Sequence, residues 1–211
     1  MYRLLSLTIV LSLAAVPAVA AQDSDMTVPD VVSWQIDKAH SSVDFSVRHF
    51  FTPVSGTFSD YDIELLFDPD NLEGSSIDVT IDAASVTTRN DRRDNDLRSD
   101  SFFEVETWPT ITFVSERIES AGDDQYVAHG QLTIRDVTQD FALPFTLLGV
   151  MEFDEQRAAQ MRRKAVAGFT ADASLNRLDY GVGSGSWTST AVVGNEVDVS
   201  ISIEAAQPAA Q

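Results

Sequence analysis

Val197-Asp198-Val199-Ser200-Ile201-Ser202-Ile203 alternates four aliphatic side chains with an acid and two serines. A strand turns successive side chains to opposite faces, so this stretch has one dry face and one wet face. The same period recurs upstream. Phe45, Val47 and His49 alternate with Asp44, Ser46 and Arg48, and Tyr61, Ile63, Leu65 and Phe67 with Asp60, Asp62 and Glu64. Ile77, Val79 and Ile81 alternate with Asp78, Thr80 and Asp82, and Ile111/Phe113, Leu132/Ile134 and Phe141/Leu143/Phe145/Leu147 continue the pattern. With Trp34–Asp37 and Val166–Ala173 added, the chain reads as about eight or nine antiparallel strands, each wet on one side.

Turn chemistry separates these runs at Asp68-Pro69-Asp70-Asn71, Ala121-Gly122-Asp123-Asp124 and Gly194-Asn195. Alternation fails over residues 91–104. There the spacing predicts one short helix over 91–99, with Asp94 set to pair with Arg98 and Leu97 facing inward. Residues 154–164 suit either a second helix or a solvated hairpin loop. An antiparallel chain of this size must hide its sheet edges, and closure into a barrel hides them completely. A two-sheet sandwich has overlapping signals and stays open as the alternative.

The acids lie on the wet faces. Among 211 residues there are 14 Lys+Arg against 33 Asp+Glu, a net charge of −19. Such a chain lacks the cationic surface that supplies most nucleic-acid affinity, and it has no polybasic segment for anionic lipid headgroups. Its 44% apolar content belongs to a folded domain. The absence of cysteine removes disulfides, thiol nucleophiles, Fe–S clusters and thiolate zinc sites.

The ends are of a different character. Arg3, the apolar run from Leu4 to Val16 and the Ala18-Val19-Ala20 step have the build of a secretory signal peptide over residues 1–20. That run is too short for a membrane span, which needs about 20 apolar residues, so no stable membrane insertion is expected. Residues 21–32 read as a linker, 33–205 as the barrel domain and 206–211 as a frayed tail. The expected product is exported, and periplasmic in a host with two membranes.

Catalytic signals are sparse. His40, His49 and His129 are the only histidines. Asp37, His40 and Ser41 are adjacent in sequence, yet a triad is a matter of geometry across a fold. No His-x-His or His-x₃-His spacing occurs, and Asp68-Pro69-Asp70-Asn71 lacks the glycine and final glutamate of a calcium loop. The reading is therefore a non-enzyme with no metal and no cofactor. All twelve phenylalanines fall between residues 45 and 169. They either pack solid or surround an apolar guest, and alternation looks the same in both cases.

Several segments together resemble the YceI family of polyisoprenoid-binding, lipocalin-like proteins of the bacterial periplasm. Trp34-Gln35-Ile36-Asp37 leads into the run from His40 to His49, and Val54-Ser55-Gly56-Thr57-Phe58 is similar to the family's VxGxF step. Arg93-Asp94 with Leu97-Arg98-Ser99-Asp100-Ser101-Phe102-Phe103 resembles its RDxHLRSxxFF helix. Trp108 to Phe113, Gly130 to Thr138, Phe141 to Pro144, Gly168-Phe169 and Asn176 to Gly181 follow in order. Where the helix motif usually has histidine, this chain has Asp96, which would repel a phosphate headgroup.

The resemblance implies an eight-stranded antiparallel lipocalin-like barrel with a helix at one end, enclosing an elongated apolar channel. It implies an isoprenoid ligand, either a polyprenyl lipid or the tail of a quinone. Parity and size then assign Phe45, Val47, Phe113, Phe141, Phe145 and Phe169 to the channel, Phe102 and Phe103 to its mouth, and His49 and Arg98 to its polar end. Two other classes remain open: an enzyme of isoprenoid or lipid metabolism using His40 or His49, and a stress-related surface protein with a filled barrel. The oligomeric state is not legible.

Overall fold

The computed structural model describes residues 31–209; the expected signal peptide and most of the expected linker lie outside the described residues, as do residues 210–211. Eleven strand segments and two α-helices are found among the described residues. The strands are β1 (Ser33–Ile36), β2 (Ser42–His49), β3 (Thr52–Phe58), β4 (Tyr61–Leu66), β5 (Ser76–Asp82) and β6 (Val86–Thr87). After α1 (Asp91–Arg98) come β7 (Thr110–Gly122), β8 (Gln125–Ile134) and β9 (Val137–Glu152), then α2 (Glu155–Met161), β10 (Arg163–Asn176) and β11 (Val193–Pro208).

The eleven segments make eight staves. β1 and β2 both border β11, through Gln35↔Ala206 and Val43↔Ile201, so they are one stave broken by a 3-10 turn at Lys38–His40. β3 and β4 form the next stave, against β2 and β1 respectively. β5 and β6 form the third, interrupted at Ala83–Ser85. Asp37 and Asp82 cap the two turns, each accepting from the backbone N–H two residues on. Four unbroken antiparallel neighbours, β7 to β10, carry the sheet round to β11, and the β1–β11 pairing closes it. The barrel is therefore the closure that occurs, and no edge runs its full length.

Parity holds along the staves. On β8, Tyr126, Ala128, Gly130, Leu132 and Ile134 are all buried, and the residues between them are less so. Ile203, Ala205 and Ala206 are buried on β11. That corrects the tail: residues expected to fray from 206 continue β11 to Pro208, because Ala206 pairs with Gln35 and Val166. Gly194-Asn195 is likewise no turn; both lie in β11, where the pairing with β2 slips between Val193 and Val197.

The predicted helix forms as α1, but its expected ion pair does not. Asp94 is turned instead into the segment before the helix, where its carboxylate accepts from the Thr88 N–H (2.8 Å), the Thr88 hydroxyl and the Thr87 hydroxyl. Burial disfavours its charged form, but these hydrogen bonds outweigh burial and hold its pKa below the usual carboxylate value. A group whose pKa is depressed on folding stabilises above its unfolded value, about 3.9, and loses that contribution as pH falls through the folded value. Asp94→Asn should cost about 1–3 kcal/mol at neutral pH by turning an amide against buried donors. Urea unfolding of both proteins across acid pH should show the gap closing below about pH 4.

Candidate ligand cavity

The barrel is hollow at one end and packed at the other. Turns β2–β3 and β8–β9, the loop carrying α1 and the β10–β11 loop gather at the hollow end. There a cavity of about 610 Å³ lies inside the staves, within the range of small-molecule sites. Beyond it a void of about 70 Å³ continues inward, sharing Val43, Val79, Ile81, Leu143 and Ile201 with the larger space. The far end is filled by aromatic rings. Phe67, 1% exposed, meets Tyr126, Phe145 and Phe169 edge-on at 5.0, 5.4 and 5.7 Å. Trp34 closes the cluster against Phe169 at 6.2 Å and donates its indole N–H to Phe67 O.

Most of the assigned channel residues meet at the cavity. Phe45, Val47, Phe102, Phe103, Phe113 and Phe141 all line it. Phe113 and Phe141 face each other at 6.3 Å, and Phe58, not singled out from the sequence, links Phe45 (5.5 Å) to Phe103 (5.8 Å). Phe45 fits because its cross-strand neighbour is Gly56: a Cβ there would stand 2.3 Å from the ring. That contact explains the glycine of the Val54–Phe58 step. Phe145 and Phe169 do not line the main cavity. They border the inner void and belong to the floor, so their place is a correction to the channel assignment. Parity decides facing, whereas position along the stave decides whether the opposite wall is within reach.

Polar side chains collect at the mouth, where Thr88, Asn90, Arg92, Arg93 and Asp96 surround Leu97. Arg93 is held by Thr88, through Nε to the hydroxyl at 2.7 Å and Nη2 to the carbonyl at 3.0 Å. The Arg92 side chain makes no hydrogen bond or ion pair among the described residues and shares the rim with Asp96. His49 stands at the mouth as assigned, its ring edge-on to Phe50 at 4.7 Å. Arg98 does not. It reaches away from the cavity to Ala84 O (2.7 Å) and Val86 O (2.6 Å), bracing α1 on the β5–β6 break.

The residue that sequence reasoning missed is Arg177. Only 4% exposed, it also lines the cavity. Its guanidinium donates to Gly194 O (2.8 Å), Val182 O (2.6 Å), Trp187 O (2.6 Å) and Val193 O (3.0 Å). Burial pushes its pKa down from the ordinary arginine value. The signal was non-local: one arginine after a strand looks solvated until the loop that returns over it is known.

His40 and His129 lie elsewhere. The His40 ring faces Asp37 (3.3 Å) and Glu204 (3.8 Å) at the stave break, and His129 faces Glu119 (3.2 Å). Neither lines the cavity, whose described lining includes no serine, cysteine or lysine.

Comparison with known proteins places this architecture. The profile of the YceI-like domain matches residues 34–205. Protein YceI of Escherichia coli is 32% identical over 177 residues, covering 82% of this chain and 86% of its own length. The crystal structure of BcnA from Burkholderia cenocepacia superposes with a TM-score of 0.71 at 25% identity, over 81% of this chain and 99% of that one. A polyisoprenoid binding domain from Saccharophagus degradans shares the fold, with a TM-score of 0.61 at 16% identity over 84% and 99%.

Proposed function

We propose, since this chain belongs to the YceI-like domain family, that it is an exported, periplasmic carrier of a long isoprenoid tail, either a polyprenyl lipid or a quinone. The observation that carries this reading is the half-hollow barrel: a mainly apolar lumen of about 610 Å³, with most of its polar lining groups at the mouth, Asp44 deeper on β2, and an aromatic floor. Each buried CH₂ is worth about 0.8 kcal/mol, so a tail gains by entering without any chemistry. Ordering a flexible chain offsets much of that, leaving about 0.3 kcal/mol per atom. The Saccharophagus domain of the same fold is described as a polyisoprenoid binder. Arg92, Arg93 and Asp96 together give a mixed rim with donors and an acceptor for a polar headgroup. Residues 1–20 support export.

Affinity for prenols should rise with chain length until the tail meets the Phe67 cluster, and then level off. Competition of a length series against a fluorescent polyprenyl probe measures this. Affinity that ignores length would remove the tail from the lumen. Native mass spectrometry of freshly purified protein would identify a co-purified lipid directly.

A further inference from the structure

The tip of the β2–β3 hairpin is unusual on three independent counts. Its two-residue turn is Phe50-Phe51, the two residues being 48% and 95% exposed. Phe50 sits at φ 49°, a left-handed conformation that two-residue hairpins ordinarily give to asparagine, aspartate or glycine. A bulky ring at Phe50 costs folding energy, and Phe51, 95% exposed beside it, recovers almost none, so folding alone does not account for this pair. The third count is charge. In a chain with 33 acids, none occurs between Asp44 and Asp60, and none between Asp179 and Glu196.

Those two acid-free segments meet. The Phe50 N–H donates to Val192 O at 2.7 Å, Arg48 donates to Thr190 O at 2.7 Å and to Phe50 O, and His49 pairs with Val193. They form one lobe on the cavity rim, where His49 and Trp187 both line the opening. On the α1 side of the mouth Asp96 remains, so the rim is acid-free on one side only. No helix among the described residues is long and apolar enough to cross a membrane.

From these features we infer that the Phe50-Phe51 lobe is a docking element for a phospholipid bilayer surface, which presses the open end of the barrel against the membrane. The inference rests on the reading of the cavity as a lipid-tail site. The acid-free lobe is the part of this acidic molecule that can approach a membrane without charge repulsion, and two exposed rings supply the interfacial anchor. Continuity with the mouth gives a tail a path from bilayer to lumen that does not cross water.

The test is partitioning of the purified protein onto phosphatidylcholine vesicles, with and without phosphatidylglycerol. Phe50→Ser/Phe51→Ser should lower the partition coefficient at least about tenfold. Leu148→Ser/Met151→Ser, at residues 67% and 61% exposed on β9, should leave it unchanged. Vesicle-free binding of the fluorescent polyprenyl probe should be the same in the hairpin variant and the parent. Equal partitioning of hairpin variant and parent, equal loss in the β9 variant, or failure of the parent to bind vesicles would each overturn the docking element. A parent dimer that the hairpin variant splits would also overturn it, making the lobe a contact between copies. Vesicle binding that depends on the hairpin in a protein that takes no probe in buffer would keep the docking element and remove the lumen reading.

Discussion

Ala173→Trp should lower affinity for a polyprenyl probe by about a hundredfold while the barrel stays folded. Ala173 is a small residue on β10, faces the lumen and pairs with Val199, which lines the same space. An indole there adds about nine non-hydrogen atoms to the cavity. A tail that loses as many contacts at about 0.3 kcal/mol each gives up nearly 3 kcal/mol, or about two decades. The substitution goes into empty volume, so the cost of overpacking, about 1–3 kcal/mol in a filled core, should lie at its lower end. Ser174→Trp is the matched control: one residue on, exposed, on the wet face. Binding titrations and thermal melts of the pair separate occlusion from unfolding. A folded Ala173→Trp protein that binds as the parent does would show that the tail lies outside the lumen. Phe113→Asp is a harsher route to the same end, since it leaves a carboxylate facing Phe141 and burdens the fold as well as the site.

What the residues disclosed about this site, and what they concealed, follows from what alternation measures. The period of Val197–Ile203 reports which way each side chain faces, and Val197, Val199, Ile201 and Ile203 do face inward with Asp198, Ser200 and Ser202 exposed between them. It is silent on depth. Phe141 and Phe145 have the same parity on β9, yet four residues of strand separate them by about 13 Å. That distance is the difference between cavity wall and aromatic floor. The staves also carry breaks invisible to period counting. Residues 38–40 and 83–85 interrupt two staves with turns that Asp37 and Asp82 cap. Arg98 misled for a related reason. Spacing four from Asp94 predicts an ion pair, but Thr87 and Thr88 supply that carboxylate with donors, and Arg98 takes backbone carbonyls instead. Gly194-Asn195 has turn chemistry, and it is used for a local slip in strand register.

Arg177→Met should lower the free energy of unfolding by about 3 kcal/mol or more, since a hydrogen bond to a charged donor is worth about 1.5–3 kcal/mol and several are lost together. The guanidinium joins four carbonyl groups from Val182, Trp187, Val193 and Gly194, so one side chain holds the β10–β11 loop down over the mouth. Methionine keeps much of the volume and leaves all four acceptors without that donor. Lysine keeps the charge but offers one nitrogen where arginine offers three in a planar fork, so Arg177→Lys should fall between parent and Met. Gly183 belongs to the same device. It has φ 92°, and a Cβ added to it would stand 2.0 Å from Arg177 Nη1. Gly183→Ala should therefore displace the guanidinium and destabilise through the same bonds. Because both changes break one network, their costs should not add: the double variant Arg177→Met/Gly183→Ala should be more stable than the sum of the singles predicts. Urea midpoints of the four proteins give the coupling. Strict additivity would mean that Gly183 is required only for its backbone angle, and that the guanidinium's contacts with the loop contribute separately from it.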